Sequence, residues 1–292
     1  MRALRIHGYG GPEVMRLDEV PPPVPCGNEV LVRIHAASVN PIDWKMRQGL
    51  MQSGLPRILG RDGAGTCDGR RVMGIGEHGR DGTHTEYAVF KEIFFLPDEI
   101  SFEEAAALGI SGLSAWIPLV ENAGVSAGQR VLVHAGAGGV GSLALQIARL
   151  RGAEVWTTCS ASNAPWCRAL GAHGTVDYTR EDFTAAGSTF DVVLDTIGGA
   201  VHRRSAEVLK PGGKLAFLSA IPTESPTRKD ITVLPTNVAA TPERLGSLLA
   251  LVSQGELKVP VGARFPLERG AEAYELSRGG HARGKIVLTI EQ

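Results

Sequence analysis

The chain has 292 residues, 43% of them hydrophobic, and a formal net charge of −1 at neutral pH. That length can bury the core of one large or two ordinary domains. So even a charge balance leaves no electrostatic footprint for nucleic acid or an anionic membrane. No apolar run is long enough to cross a bilayer, and Met1–His7 alternates like a strand rather than carrying the apolar block of a secretion signal. Cys26, Cys67, Cys159 and Cys167 form no C-x-x-C pair, so a cytoplasmic protein without disulfides is expected.

Residues 1 to about 100 read as short strands between turn residues: Arg2–His7, Val30–Ala37, Arg71–Gly74, Thr85–Phe90 and Ile93–Leu96. Breaks are expected at Gly8, Gly10-Gly11, Gly27-Asn28 and from Gly63 to Gly69. Pro21-Pro22-Pro23-Val24-Pro25 reads either as a polyproline ligand or, within a strand-rich domain, as a stiff surface connection, the second being favoured. Many short strands with glycine turns predict a small β-barrel. One helix interrupts it, with Asn40 as cap, Pro41 in its first turn and Asp43 at the positive end of its dipole. Ser101-Phe-Glu-Glu104 is a capping box that opens a helix through Leu108. A second helical piece follows from Ser111 to Val120, with Pro118 as its kink or end.

From Arg130 the pattern changes to strand–helix alternation, which predicts a parallel sheet covered on both faces. The run Val131-Leu-Val133 leads into Gly136, Gly138 and Gly141, a G-x-G-x-x-G, and then into a helix carrying Leu143, Ile147 and Leu150. In such a strand–turn–helix the first glycine permits the turn and the second lets the backbone approach a diphosphate. The third lets the helix pack on its strand, so Gly136, Ala137, Gly138, Gly139, Val140 and Gly141 are candidate diphosphate contacts. Further strands are expected at Glu154–Cys159, near Thr175–Tyr178, at Asp191–Asp195, at Lys214–Leu218 and at Ile231–Leu234. Helices are expected at Ala164–Leu170, at Ala200–Leu209 (stopped by Pro211-Gly212-Gly213), from Thr241 to Gly255, and at Leu267–Arg278. The last strand, Lys285–Ile290, can either return to the first domain or extend the sheet.

These segments resemble the zinc-independent quinone oxidoreductase branch of the medium-chain dehydrogenase/reductase superfamily. The resemblance rests on Ser38–Lys45, Glu103–Leu108, Arg130–Gly141, Asp191–Gly199, Leu209–Gly213 and Gly284–Leu288. It implies an α/β architecture: a Rossmann doubly wound parallel sheet, residues 113–258, plus a GroES-like β-barrel catalytic domain, residues 1–112 completed by 259–292. The active site would lie in the cleft. The chain departs from the family between Gly65 and Arg71, where only Thr66-Cys-Asp-Gly-Arg70 intervenes and a hairpin is expected to be lost.

Zinc catalysis in that superfamily uses a Gly-His-Glu; Gly60-Arg61-Asp62 stands there instead. His7, His35, His78 and His84 lack ligand spacing and read as surface or cleft histidines, so no metal is expected. An NAD site places an acid at the end of the second strand, but Thr157-Thr-Cys-Ser-Ala-Ser-Asn163 has none. That permits NADPH, with Ser160, Ser162 and Asn163 as donors to its 2′-phosphate; Arg168 can assist or simply be a solvated helix arginine. The resemblance adds Tyr178, Thr196, Ser219 and Lys285 to the cofactor contacts. The expected chemistry is hydride transfer to a quinone or an α,β-unsaturated carbonyl, which needs no Lewis acid. Asn40, Asp43 and Lys45 are the candidate catalytic residues. Lys45 stands where many relatives carry a tyrosine, and Trp44 is either an acceptor stack or a core residue. A zinc-less alcohol or aldehyde dehydrogenase, or a non-catalytic NADPH-binding protein of crystallin or RNA-binding type, is the alternative. A homodimer is compatible with either.

Overall fold

Short aliphatic and β-branched runs broken by glycine turns build the first unit of the computed structural model, which describes residues 1–52, 54–77, 79–218 and 226–291. That unit comprises Met1–Ile110, Ala240–Gly255 and Val259–Gln292; the second comprises Ser111–Ala239 and Glu256–Lys258. The helix Pro242–Ser253 therefore groups with the β-rich unit, where it packs on the strand Ile93–Phe95. The sequence reading had placed it with the parallel sheet.

In the first unit the long strand Val30–Val39 is the axis. It pairs antiparallel with Asp62–Cys67, with Tyr87–Phe90 and with the final strand Lys285–Thr289. The C-terminal strand thus returns to the first unit. It also carries Val261–Pro266 in parallel at its outer edge, a strand that the sequence reading missed. A smaller sheet joins Met15–Glu19, Arg2–Ile6 and Arg57–Ile58. Between these layers lies a core of Ile6, Val32, Ile34, Phe90, Tyr274 and Leu288.

The expected break at Gly63 to Gly69 is instead a hairpin. Asp62–Cys67 pairs with Arg70–Ile75 through a two-residue Asp68-Gly69 turn, φ 48° and 75°, the backbone that Asp-Gly turns favour. Its glycines answer crowding: a Cβ on Gly65 would lie 1.8 Å from the Arg33 carbonyl oxygen. Gly65 is thus required by the neighbouring backbone, while Gly63 faces the Ile34, Thr83 and Phe90 side chains.

Ser101 and Glu104 close their capping box: the Ser101 amide donates to Glu104 Oε2 at 3.0 Å, and the Glu104 amide donates to Ser101 Oγ at 3.2 Å. The two helical pieces expected after it are one helix, Phe102–Trp116, running into a π-turn at Ile117–Asn122 that accommodates Pro118.

The second unit is a six-stranded, all-parallel sheet. In chain order its strands are Arg130–Val133, Glu154–Cys159, Gly174–Asp177, Phe190–Asp195, Leu209–Phe217 and Thr232–Pro235. In space they run 3-2-1-4-5-6, the doubly wound order of dinucleotide-binding sheets. Val131, Leu132, Val193, Leu194 and Leu215 are fully buried along it, as strands covered on both faces must be. Pro211-Gly212-Gly213 does not terminate a helix. The helix Gly199–Ser205 ends earlier, through a 3₁₀ turn at Ala206–Val208, and those three residues lie within the next strand. There the register slips from Phe190↔Leu209 to Val192↔Lys214, so the extra residues are extruded as a bulge.

Candidate functional site

The strand Arg130–Val133 ends at the glycine turn, and the helix Gly139–Leu150 begins immediately after it. The three glycines meet different surroundings. A Cβ on Gly136 would lie 2.1 Å from Thr157 Oγ1, and one on Gly141 would lie 2.2 Å from the Ala135 carbonyl oxygen. The fold itself requires both to be glycine. Gly138 differs: its φ is −79°, which any residue adopts, and its nearest neighbour to a Cβ is at an ordinary 3.4 Å. Among the described residues nothing explains the missing side chain there, whereas the close approach of a diphosphate would. Gly139, Val140 and Gly141 open a 12-residue helix, and the first amides of a helix have no intrahelical acceptor. Ala137 is buried beside them. The turn therefore fits the diphosphate of a dinucleotide.

The second strand ends beside the third in parallel register, Cys159 against Asp177, so Ser160 and Tyr178 emerge side by side. Ser160 Oγ and Ser162 Oγ are 3.2 Å apart, and Asn163 completes the 3₁₀ turn Ala161–Asn163. Tyr178 is 54% exposed. Ser160, Ser162 and Asn163 thus share one turn, and Tyr178 follows the neighbouring strand end. Asp177 is the nearby carboxylate: it accepts from the Thr179 hydroxyl at 2.8 Å and also from the Ala161 amide of the turn itself. Arg168 is not part of this group: its guanidinium reaches Thr175 Oγ1 at 3.1 Å, and it is a solvated helix arginine. Thr196 Oγ1 donates to the His134 carbonyl at 2.8 Å, next to the glycine turn. Ser219 lies outside the described residues.

In the first unit, Asn40, Asp43 and Lys45 sit on the short helix Pro41–Arg47. Asp43 Oδ2 accepts from the Asn40 amide at 2.7 Å, the reach-back half of a capping box. The Asn40 side chain is buried and engaged on both ends: Nδ2 donates to Asp62 Oδ2 at 2.7 Å, and Oδ1 accepts from Lys285 Nζ, also at 2.7 Å. Lys285 is only 4% exposed and also donates to the Val39 carbonyl at 3.1 Å. The ammonium expected at the cofactor is thus held inside this unit. Burial lowers its pKa, while Asp62 and Asp43 oppose that fall. Burial also raises the pKa of Asp43. Lys45 is half-buried, with its ammonium 5.6 Å from the centre of the Trp44 ring; Trp44 itself packs on the core.

Two residues of this cluster escaped the sequence reading. Asp62 accepts from Ser38 Oγ at 2.6 Å, from Asn40 and from the Ile110 amide. His84, expected at the surface or in a cleft, is fully buried: its ring bridges Tyr274 Oη at 2.8 Å and the Ser38 carbonyl at 3.1 Å. The reason is its place on the inner face between Leu59 and Leu4, whose backbones it pairs. Among the other histidines, His7 bonds Asp18 at 2.7 Å and His35 stacks on Phe102; His78 lies outside the described residues. Among the described residues no group of three or more His, Cys, Asp or Glu side chains is placed to hold a metal ion, and no helix is long and apolar enough to cross a membrane.

Residues 27–98 match the alcohol dehydrogenase GroES-like domain, and residues 170–288 match a zinc-binding dehydrogenase domain. A chloroplastic quinone-oxidoreductase homolog of Spinacia oleracea is 32% identical, over 99% of this chain and 98% of its own length. Among solved structures, the quinone oxidoreductase of Coxiella burnetii superposes with a TM-score of 0.94 at 34% identity, covering 100% of this chain and 99% of its own. The quinone oxidoreductase of Escherichia coli complexed with NADPH gives 0.89 at 26% identity, covering 99% and 100%.

Proposed function

This chain belongs to the quinone oxidoreductase branch of the medium-chain dehydrogenase/reductase superfamily, and on that premise we propose that it is an NADPH-dependent, metal-free reductase of quinones or α,β-unsaturated carbonyls. The observation that carries this reading is Gly138, a glycine with no internal steric reason, at the mouth of a helix whose free amides suit a diphosphate. NADPH, when bound, supplies the hydride. The protein's own part is to bind, orient and donate.

The amides of Gly139, Val140 and Gly141 at the start of the helix hold the diphosphate, and Gly136 and Gly138, whose own amides bond the Thr158 and Ala135 carbonyls, let it approach closely. Ser160, Ser162, Asn163 and the hydroxyl of the exposed Tyr178 receive the 2′-phosphate; the turn has no acid in its own sequence, and the Asp177 carboxylate beside it is held by the Thr179 hydroxyl and the Ala161 amide. Metal-free chemistry is supported by the donor set around Asp62. An arginine, which cannot ligate a metal, precedes it, and the carboxylate is already bonded to Ser38, Asn40 and the Ile110 amide. Asn40 and Asp43 act as positioning residues that fix the start of the helix Pro41–Arg47. Lys45 forms no ion pair among the described residues, so its ammonium is available to donate to an acceptor oxygen as negative charge develops there.

The test is NADPH oxidation by the purified chain with 1,2-naphthoquinone or an alkenal as acceptor, compared with NADH. Turnover with NADPH well above that with NADH is expected. Equal use of both would remove the 2′-phosphate site, and no turnover with either acceptor class would remove the assigned reaction.

A further inference from the structure

Beneath the glycine turn runs a chain of buried polar groups to which the proposed reaction gives no part. Ala135, immediately before the turn, has φ +53°, a left-handed conformation that strains a residue bearing a side chain. Its amide donates to Thr158 Oγ1 at 3.1 Å, and Thr158 Oγ1 is 3.2 Å from His134 Nδ1. His134 Nε2 lies 3.0 Å from Ser205 Oγ, and Ser205 Oγ donates to the Val201 carbonyl at 2.7 Å. His134, Thr158 and Ser205 are 1%, 3% and 0% exposed.

The proton directions along this chain follow from counting. Ser205 has one hydroxyl proton, and Val201 takes it, so the imidazole must donate at Nε2. A neutral imidazole has a single N–H, so Nδ1 accepts, and the donor to it is the Thr158 hydroxyl. With that proton committed, the Thr158 oxygen presents its lone pairs to the Ala135 amide. The Thr158 carbonyl also accepts from the Gly136 amide at 3.2 Å, so one residue holds two successive amides of the turn. Ala135 in turn directs its carbonyl inward, where it accepts from the Gly138 amide at 3.0 Å and closes on Gly141. The amides that follow are left to face outward.

We propose that Thr158, oriented by His134 and Ser205, is a positioning residue that holds Ala135 in its left-handed conformation and so presets the diphosphate turn. This inference rests on the diphosphate reading of that turn. Thr158 does not touch the cofactor; it acts through Ala135 and Gly136. Its hydroxyl is the required group. Its methyl is not.

Two substitutions separate hydroxyl from packing: Thr158→Val keeps the shape and removes the hydroxyl, and Thr158→Ser keeps the hydroxyl. NADPH affinity is measured by calorimetry, and the hydrogen exchange of the Ala135 amide is measured without ligand. Thr158→Val should weaken NADPH binding by about tenfold and speed Ala135 exchange by a similar factor, while Thr158→Ser stays within about twofold of the unaltered chain. Equal impairment by both substitutions, or unchanged affinity and exchange in Thr158→Val, overturns the inference. If Thr158→Val does not fold, Thr158→Ala read against Thr158→Ser decides the same question, since serine alone keeps the hydroxyl. Failure of the unaltered chain to bind NADPH overturns the diphosphate reading instead; the exchange measurement then still decides whether Thr158 holds the turn.

Discussion

Each unit buries a polar cluster, and the two are built on opposite principles. In the first unit Asp62, Asp43 and Lys285 are all buried, and Asn40 and Ser38 link them. In the second unit Thr158, His134 and Ser205 form a neutral relay in which each proton has one place to go. The first is tolerable in an apolar interior only because opposite charges lie close together; the second places no charge on its three members, although the buried Asp195–His202 pair lies near enough to act on His134. A charged cluster should therefore fail sharply when one member is removed. A neutral one should fail by degrees, and with pH.

The sharpest way to break this contrast is Asp62→Ala. It strands Ser38, Asn40 and the Ile110 amide and removes a compensating charge from Lys285, so a loss of about 3–5 kcal/mol is expected in urea unfolding. A loss below about 1 kcal/mol would mean that the first cluster is not held by charge.

The next effect concerns His134, whose pKa burial pushes down from 6.5 to about 4, with Asp195 opposing the shift. Between those values the unfolded chain binds a proton that the folded chain refuses. Its contribution is therefore complete above pH 6.5 and is lost as pH falls toward 4. Over that window the unaltered chain should lose about 3 kcal/mol more than His134→Gln. Burial moves His84 the same way and Asp43 the opposite way, so only the difference between the two chains isolates His134. Parallel pH profiles would show that the relay does not depend on a neutral ring.

The smallest expected effect sharpens the comparison within the turn itself. Gly141→Ala drives a Cβ against the Ala135 carbonyl and should destabilise the chain by about 1–3 kcal/mol. Gly138→Ala should leave thermal unfolding within about 2 °C of the unaltered chain while weakening NADPH binding. If the two behave alike in both assays, the distinction between a structural and a ligand-facing glycine is lost.

The turn was legible in the sequence because its logic is local: strand, three glycines and helix lie between Arg130 and Leu150, and each glycine has a job that spacing reveals. The Asn40–Asp43 reach-back and the Ser101–Glu104 box were legible for the same reason. Asp62–Cys67 was not, because a glycine forced by the neighbouring backbone, as Gly65 is at Arg33, looks identical to a glycine that breaks a strand. Nor were the partners of Lys285: its bond to Asn40 spans 245 residues, and no local pattern announces it. His84 was misread because burial between two strands leaves no periodic mark on a single residue. The Thr158 relay joins one strand, the residue that follows another and the end of the helix Gly199–Ser205, and left no signal in the sequence at all.

The Asp68-Gly69 turn has one more consequence. It is exposed, and the Cys67↔Arg70 pair fixes the register at its base from both sides. Lengthening a closed loop costs only about 0.6 kcal/mol per doubling. This tip is accordingly the natural graft point of the barrel, where a peptide tag or a borrowed excursion can be spliced in while the strands beneath keep their alignment.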